Sequence, residues 1–109
     1  KLITDLKTKG KRIIGYGASG RATVHINFCK FSNQIIEYVV DASHERQGRF
    51  IPGMHIPIVP PEKLKTDNPD YAILFAYNYF DEVMKKESNY IQSGGKFIVP
   101  LPEPKIIEP

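Results

Sequence analysis

Three glycines near the start of the chain have the spacing of a phosphate-binding loop. Gly15, Gly17 and Gly20 match G-x-G-x-x-G, directly after a β-branched apolar run and before a helical stretch. In such a loop the glycines permit the turn, let the backbone approach a phosphate, and allow close packing of helix on strand. Free N–H groups and the helix dipole favour an anion over residues 17–21. The candidate contacts are Gly15, Gly17, Ala18, Ser19, Gly20 and Arg21. The alternative is a tight turn without a ligand.

Polar and aromatic residues follow two further predicted strands. Asp41 ends the apolar run 35–40, about twenty residues past the loop, where an acid can bind a ribose diol. Tyr77 and Asn78 end the apolar run 71–77, where they could stack on and orient a base or sugar. For Asn78 the competing interpretation is a helix N-cap.

The remaining reactive side chains give weaker signals. His25, His44, His55 and Cys29 lack metal-ligand spacing, so no metal site is expected in this chain. Cys29 has no obvious activating base and is expected to be buried. Arg46 and Arg49 lie in a polar loop, 42–55, where they would meet either a phosphate or solvent. No residue is assigned a catalytic role.

The elements that must position these residues alternate between strand and helix. Strands are expected near 12–16, 35–40, 56–59, 71–77 and 96–100. Helices are expected at 21–31 and 80–93, with a short one opened by Pro60 and Pro61, and Val24, Phe28 and Phe31 form one apolar stripe. The pattern predicts an α/β fold, namely a Rossmann-like three-layer domain with a five-stranded parallel sheet in the order 3-2-1-4-5. Its ligand crevice would lie where the strand order reverses, at the carboxyl ends of strands 1 and 4.

Composition favours one soluble domain with a small anionic ligand. The chain has 109 residues and a net charge of +3, from 15 basic and 12 acidic residues, which is too mild to indicate nucleic acid. Its single cysteine excludes an internal disulfide. No apolar run approaches the roughly 20 residues of a membrane span, so a cytoplasmic protein is expected. The start, KLITD, is neither a signal peptide nor an initiator methionine. We therefore expect residues 1–109 to be one domain of a longer gene product.

Four segments together resemble a known family. They are GYGASGR at 15–21, YVVD at 38–41, QGRFIPGMHIPI at 47–58, and YNY at 77–79 followed by GGKFIVP at 94–100. Their order and spacing are similar to those of the C-terminal domain of SAM-dependent sugar C-methyltransferases, and the run from 47 to 58 is the most specific part.

The resemblance implies a division of labour within a longer enzyme. A zinc-binding domain and a SAM-binding domain that carries the catalytic residues would precede this one. This domain would hold no cofactor of its own. It would help to hold a nucleotide-linked sugar and would be inactive alone, with the SAM-binding domain of the same chain as its partner. Two other classes stay open from the residues themselves: a regulatory module that senses a nucleotide or CoA, and the NAD-binding half of an oxidoreductase.

Overall fold

The computed structural model describes residues 2–18, 20–75, 79–99 and 105–107, and for residues 2, 21, 25, 105 and 107 it describes the backbone alone. Across these residues, seven strands form one sheet in the order β3-β4-β2-β1-β5-β6-β7. The strands are β1 (Ile13–Tyr16), β2 (Val39–Val40), β3 (Phe50–Ile51), β4 (Ile56–Val59), β5 (Tyr71–Leu74), β6 (Lys96–Val99) and β7 (Lys105–Ile107). The helices are α1 (Leu2–Thr8), α2 (Gly20–Cys29), α3 (Lys63–Asp67), α4 (Phe80–Lys86) and α5 (Ser88–Gln92).

The centre of the sheet is parallel and its edges are antiparallel. Strands β4, β2, β1, β5 and β6 pair in parallel, in the spatial order expected for the five predicted strands. The predicted count of five is wrong, because β3 pairs antiparallel with β4 and β7 pairs antiparallel with β6. Both edge strands have two or three residues, too few for a period-2 pattern to reveal them. Strand β3 lies in the segment 42–55, which was expected to be a loop, and β7 lies in the proline-rich C-terminal segment, where no strand was expected.

Side chains that alternate along the strands build a core on each face of the sheet. On one face, Ile13 of β1 packs with residues of α1 and α2. On the other face, Ile14 packs with residues of α3, α4 and α5. Strands buried on both faces read as continuous apolar runs, as parallel strands do. The described residues therefore form three layers, helix on sheet on helix.

Helix α2 presents a different face to the sheet from the one expected. Ala22 and Ile26 are fully buried, whereas Val24 is 70% exposed and Phe28 is 86% exposed. The expectation of a buried Cys29 is also wrong, because Cys29 is exposed. Residues 22 and 26 lie four apart on one side of the helix, and 24 and 28 lie on the opposite side.

Several element boundaries also differ from those predicted. Only residues 39–40 of the predicted strand 35–40 enter the ladder, because 33–35 form a turn. The predicted helix 80–93 is interrupted at Glu87, which separates α4 from α5. The strand predicted at 71–77 ends at Leu74, and residues 76–78 lie outside the described part of the chain. None of the helices in that described part is long and apolar enough to cross a membrane.

Candidate functional site

The glycine-rich turn after β1 is closed by contacts within the protein. A Cβ atom on Gly15 would lie 2.8 Å from Cε2 of Phe75 and 2.9 Å from Cγ2 of Val39, so only glycine fits between these side chains. Gly17 has φ +92°, a backbone conformation that favours glycine. The Gly17 N–H donates to the Val40 carbonyl at 2.8 Å. Glycines at 15 and 17 are therefore required by packing and by the turn, whether or not a ligand binds.

Asp41 fastens this turn to the segment that follows β2. Its carboxylate is 8% exposed and accepts the Ala18 N–H at 2.7 Å, the Ser43 N–H at 2.7 Å and the Arg46 Nη1 at 3.2 Å. The Gln47 amide donates to the Asp41 carbonyl at 2.7 Å. Burial alone would raise the pKa of Asp41, but the Ser43 and Ala18 amides and the Arg46 guanidinium together lower it. Asp41 is thus an ionised acceptor for donors on both sides of it.

These bonds restrict where an anion can bind on the turn. The N–H groups of Gly17 and Ala18 already have protein acceptors, so they are not the free donors that the sequence suggested. Gly20 begins α2. Ser19, Tyr77 and Asn78 lie outside the described residues, and so does the side chain of Arg21. Anion contacts at 19–21 and a ligand role for Tyr77 and Asn78 remain predictions.

A cavity of about 230 Å³ opens beside the turn, at the carboxyl ends of β1 and β2. Helix α4 forms its other wall and contributes an acid and a base, and Tyr79, directly before the helix, contributes an exposed aromatic ring. This is the edge of the sheet where doubly wound α/β domains bind ligands. The lining residues are Tyr16, Gly17, Val40, Asp41, Ala42, Tyr79, Glu82, Val83 and Lys86.

Tyr16 fixes α4 against the sheet at the base of this cavity. Its hydroxyl donates to the Glu87 carboxylate at 2.5 Å, and its ring packs edge-on against Phe97 with centroids 5.6 Å apart. Burial first, and the Glu87 carboxylate second, raise the pKa of Tyr16 above its ordinary value. The phenol therefore remains a protonated donor. The break between α4 and α5 falls at Glu87 and lets its carboxylate reach this hydroxyl.

The structure brings together part of the predicted site and adds residues that were missed. Gly17 and Asp41 line the cavity, while Tyr79, Glu82 and Lys86 were not among the predicted site residues. A signal for the last two exists in the sequence, since residues four apart on a helix share one face. His44 and His55 are exposed, and the His55 ring contacts Phe50 with centroids 6.4 Å apart.

The cavity combines an ammonium group, two carboxylates and an aromatic ring. An ammonium group attracts phosphate, carboxylates accept hydroxyl groups, and an aromatic ring stacks on a base or sugar. Among the described residues, no cluster of three or more histidine, cysteine, aspartate or glutamate side chains could hold a metal ion. The chain is therefore an α/β domain with a polar cavity at the carboxyl edge of its parallel strands, the position where domains of this architecture commonly bind small molecules.

Comparison with known proteins identifies the family. The family model described as the C-methyltransferase C-terminal domain matches residues 1–102. The C-methyltransferase NovU of Streptomyces niveus is 36% identical over 107 residues, which cover 98% of this chain and 26% of the relative. The chain belongs to the C-methyltransferase C-terminal domain family, and the resemblance found in the sequence is confirmed. The chain spans about a quarter of the length of the curated relative that it matches.

Proposed function

We propose that this domain holds the sugar-nucleotide substrate of a SAM-dependent C-methyltransferase. The observation that carries the proposal is the cavity between the glycine-rich turn and α4, at the carboxyl edge of the sheet. Family membership supplies the reaction, transfer of a methyl group to carbon. The domain's own residues supply binding groups for a polar substrate rather than an activated nucleophile.

The charges around the cavity set the orientation of the substrate. The Lys86 ammonium and the start of α2, at Gly20, attract the phosphates. Asp41 and Glu82 repel phosphate, so the sugar lies on their side, where Glu82 and the one acceptor position left on Asp41 accept hydroxyl groups. Tyr79, whose side chain is exposed, offers its ring to the base or the sugar. This assignment keeps the predicted anion position near the turn and adds α4 as the second wall.

The size of the cavity supports a role that is incomplete without the rest of the enzyme. Sites for drug-sized ligands usually enclose roughly 300–1,000 Å³, and this cavity has about 230 Å³. It accommodates part of a sugar nucleotide and not SAM as well. SAM and the structural zinc belong, in this proposal, to the domains that precede this one in the full enzyme. The partners are then a nucleotide-linked sugar and the SAM-binding domain, in a cytoplasmic protein.

The bonds of Asp41 disfavour the alternative of a dinucleotide- or CoA-binding module. A carboxylate offers about four acceptor positions, and the protein occupies three of those on Asp41. Little capacity remains for both hydroxyls of a ribose diol. The acid that would identify NAD is instead used to hold the turn.

Paired lysines on α4 test the substrate site directly. Lys86 lines the cavity and its neighbour Lys85 does not, although both are exposed. We expect Lys86→Ala to weaken binding of a nucleoside diphosphate sugar about tenfold, and Lys85→Ala to change it less than about twofold, because only Lys86 meets phosphate. Isothermal titration or amide-shift titration of the two variants measures this difference. Equal affinities of the two variants would contradict the proposal that this cavity binds the substrate.

A second experiment tests whether the domain acts alone. Residues 1–109, supplied with SAM and a panel of nucleotide-linked ketosugars, are expected to transfer no methyl group. Their affinity for the sugar nucleotide is expected to be weak, on the order of millimolar, since few contacts offset the cost of association. Turnover by these residues alone would show that the methyl-donor site is here, against the proposal.

A further inference from the structure

The outer side of α2 carries an apolar stripe that the domain leaves uncovered. Ala22 and Ile26 are fully buried against the sheet. Val24, 70% exposed, and Phe28, 86% exposed, lie one turn apart on the opposite side. Single exposed apolar residues are common on protein surfaces. A valine and a phenylalanine one turn apart on the same side of a helix form a contiguous apolar surface, which is suited to contact with another protein surface.

The patch belongs to a helix that is held rigidly in place. The Asn27 side chain donates to the Pro52 carbonyl and to the Thr23 carbonyl, both at 2.9 Å, which ties α2 to the turn between β3 and β4. A Cβ atom on Gly53 would overlap the Asn27 side chain, so this contact is close. Because α2 is fixed by its core and by this bond, its apolar side has a defined shape before any partner binds, which lowers the cost of docking.

We propose that this α2 face, Val24 and Phe28, docks on a segment of the same polypeptide that lies N-terminal to this domain. Family membership makes the domain a C-terminal one, and it spans 26% of the relative's length, so the expected partner surface is large and tethered. A stable contact between separate copies needs about 1,000 Å² or more of buried surface, far more than these two side chains provide. A tethered segment, at an effective concentration of order millimolar, needs much less. The inference rests on family membership and not on the ligand of the cavity.

Footprinting of the full-length polypeptide tests the docking without a substitution. Hydroxyl-radical modification of Phe28 is compared between the folded and the urea-unfolded full chain, with Phe50, 57% exposed, as the reference ring. In the domain alone Phe28 is the more exposed of the two, so a free face predicts more modification at Phe28. We expect the reverse order in the folded full chain, with strong protection of Phe28. Modification of Phe28 at its unfolded rate would overturn the proposal.

A matched pair of substitutions tests the energetic role of the same face. In the full-length polypeptide, Phe28→Asp is expected to speed proteolytic release of this domain on the order of tenfold, which corresponds to about 1.4 kcal/mol of docking free energy. Phe50→Asp replaces an exposed ring elsewhere and should leave the rate unchanged. Val24→Lys, on the same face, should repeat the effect of Phe28→Asp.

The outcomes separate docking from misfolding and from the proposed function. Sugar-nucleotide binding that persists in Phe28→Asp shows that the domain is folded. If the wild-type protein binds no sugar nucleotide, the proposed substrate role is contradicted, and the release rate is unaffected. Release rates that are equal in the wild-type protein, Phe28→Asp and Phe50→Asp would overturn the docking proposal. The docking proposal would also be overturned if the wild-type protein were a dimer and Phe28→Asp converted it to monomers without changing the release rate. The α2 face would then contact a second copy of the protein.

Discussion

Asp41→Asn separates two roles that an acid at the end of β2 can have. If Asp41 is a ligand acceptor, its amide variant should lose binding and keep its stability. The structure shows a carboxylate that accepts the N–H groups of Ala18 and Ser43 through different oxygens. Asparagine has one acceptor oxygen, so its amide nitrogen would face the N–H of Ala18 or Ser43. We therefore expect the substitution to destabilise the fold first.

The expected loss follows from that one unpaired donor. Leaving a buried backbone N–H without an acceptor costs about 2 kcal/mol. The ion pair with Arg46 adds little, because the Arg46 side chain is 48% exposed and exposed pairs contribute roughly 0–1 kcal/mol. For a chain of 109 residues, 1 kcal/mol moves the Tm by about 4 °C, so Asp41→Asn should lower it by about 8 °C. Arg46→Ala is the matched control and should lower it by less than about 4 °C.

Thermal unfolding of both variants across pH provides the assay. The pKa of Asp41 is lower in the folded protein than its ordinary value, so its contribution to stability is present above that ordinary value and declines as pH falls toward the folded pKa. The gap between the wild-type protein and Asp41→Asn should accordingly narrow on acidification. Equal Tm values for Asp41→Asn and Arg46→Ala, or a gap that widens at low pH, would refute the assignment.

Three further substitutions, the first with a matched control, test how the elements around the site are held. Gly15→Ala brings a Cβ within 2.8 Å of an aromatic ring and should lower the unfolding free energy by about 1–3 kcal/mol. The control Gly10→Ala, with φ +80° and open space around it, should lower it by only about 1 kcal/mol. Urea titration of the two variants measures the difference. Asp67→Asn should make the unfolding free energy fall less steeply as the pH is lowered, because Arg12 at 2.6 Å holds the pKa of Asp67 below its usual range. An unchanged pH dependence of the unfolding free energy, measured by chemical denaturation, would contradict this. Tyr90→Phe leaves a buried backbone carbonyl without its donor and should lower the unfolding free energy by about 1 kcal/mol, measured in the same titration.

The parallel centre of the sheet was predictable because continuous apolar runs in the sequence encode its strands. Runs such as 71–77 are apolar on both faces, and helices between them force right-handed parallel crossovers. The edge strands were not predictable, because Phe50–Ile51 and Lys105–Ile107 pair through two or three residues each. Such pairing is decided by the neighbouring strand, which a local pattern does not contain.

Helix α2 shows why hydrophobicity alone misplaces a helix face. Its sequence holds two apolar stripes, Ala22 with Ile26 and Val24 with Phe28. A period of 3.6 identifies both stripes and cannot choose between them, and bulk favours the second. The structure buries the first. Its smaller residues allow the helix to approach the sheet closely, and the larger residues are left for a surface beyond the domain.

The position of Asp41 after a strand was predictable from the sequence, and its hydrogen bonds were not. Asp41 was placed correctly at the end of a strand, because strand ends can be read from where an apolar run stops. Its partners Ser43 and Arg46 come from a turn whose hydrogen bonds no periodicity encodes. Lys86 was missed because the sequence predicted one continuous helix over 80–93. The break at Glu87 was not predicted, and so the sequence did not show which side of α4 faces the cavity.

The cavity is therefore shaped by two contacts that also hold the fold together. Asp41 closes the glycine-rich turn on one side, and the Tyr16–Glu87 hydrogen bond fixes α4 on the other. Since the Gly17 and Ala18 amides are used by the protein, the proposed phosphate site would depend on Lys86 and on the predicted contacts at 19–21. Lys86 reaches the cavity only while α4 keeps its position. Substrate affinity in this domain should consequently follow the integrity of the Tyr16–Glu87 contact, although neither of these two side chains needs to touch the phosphate.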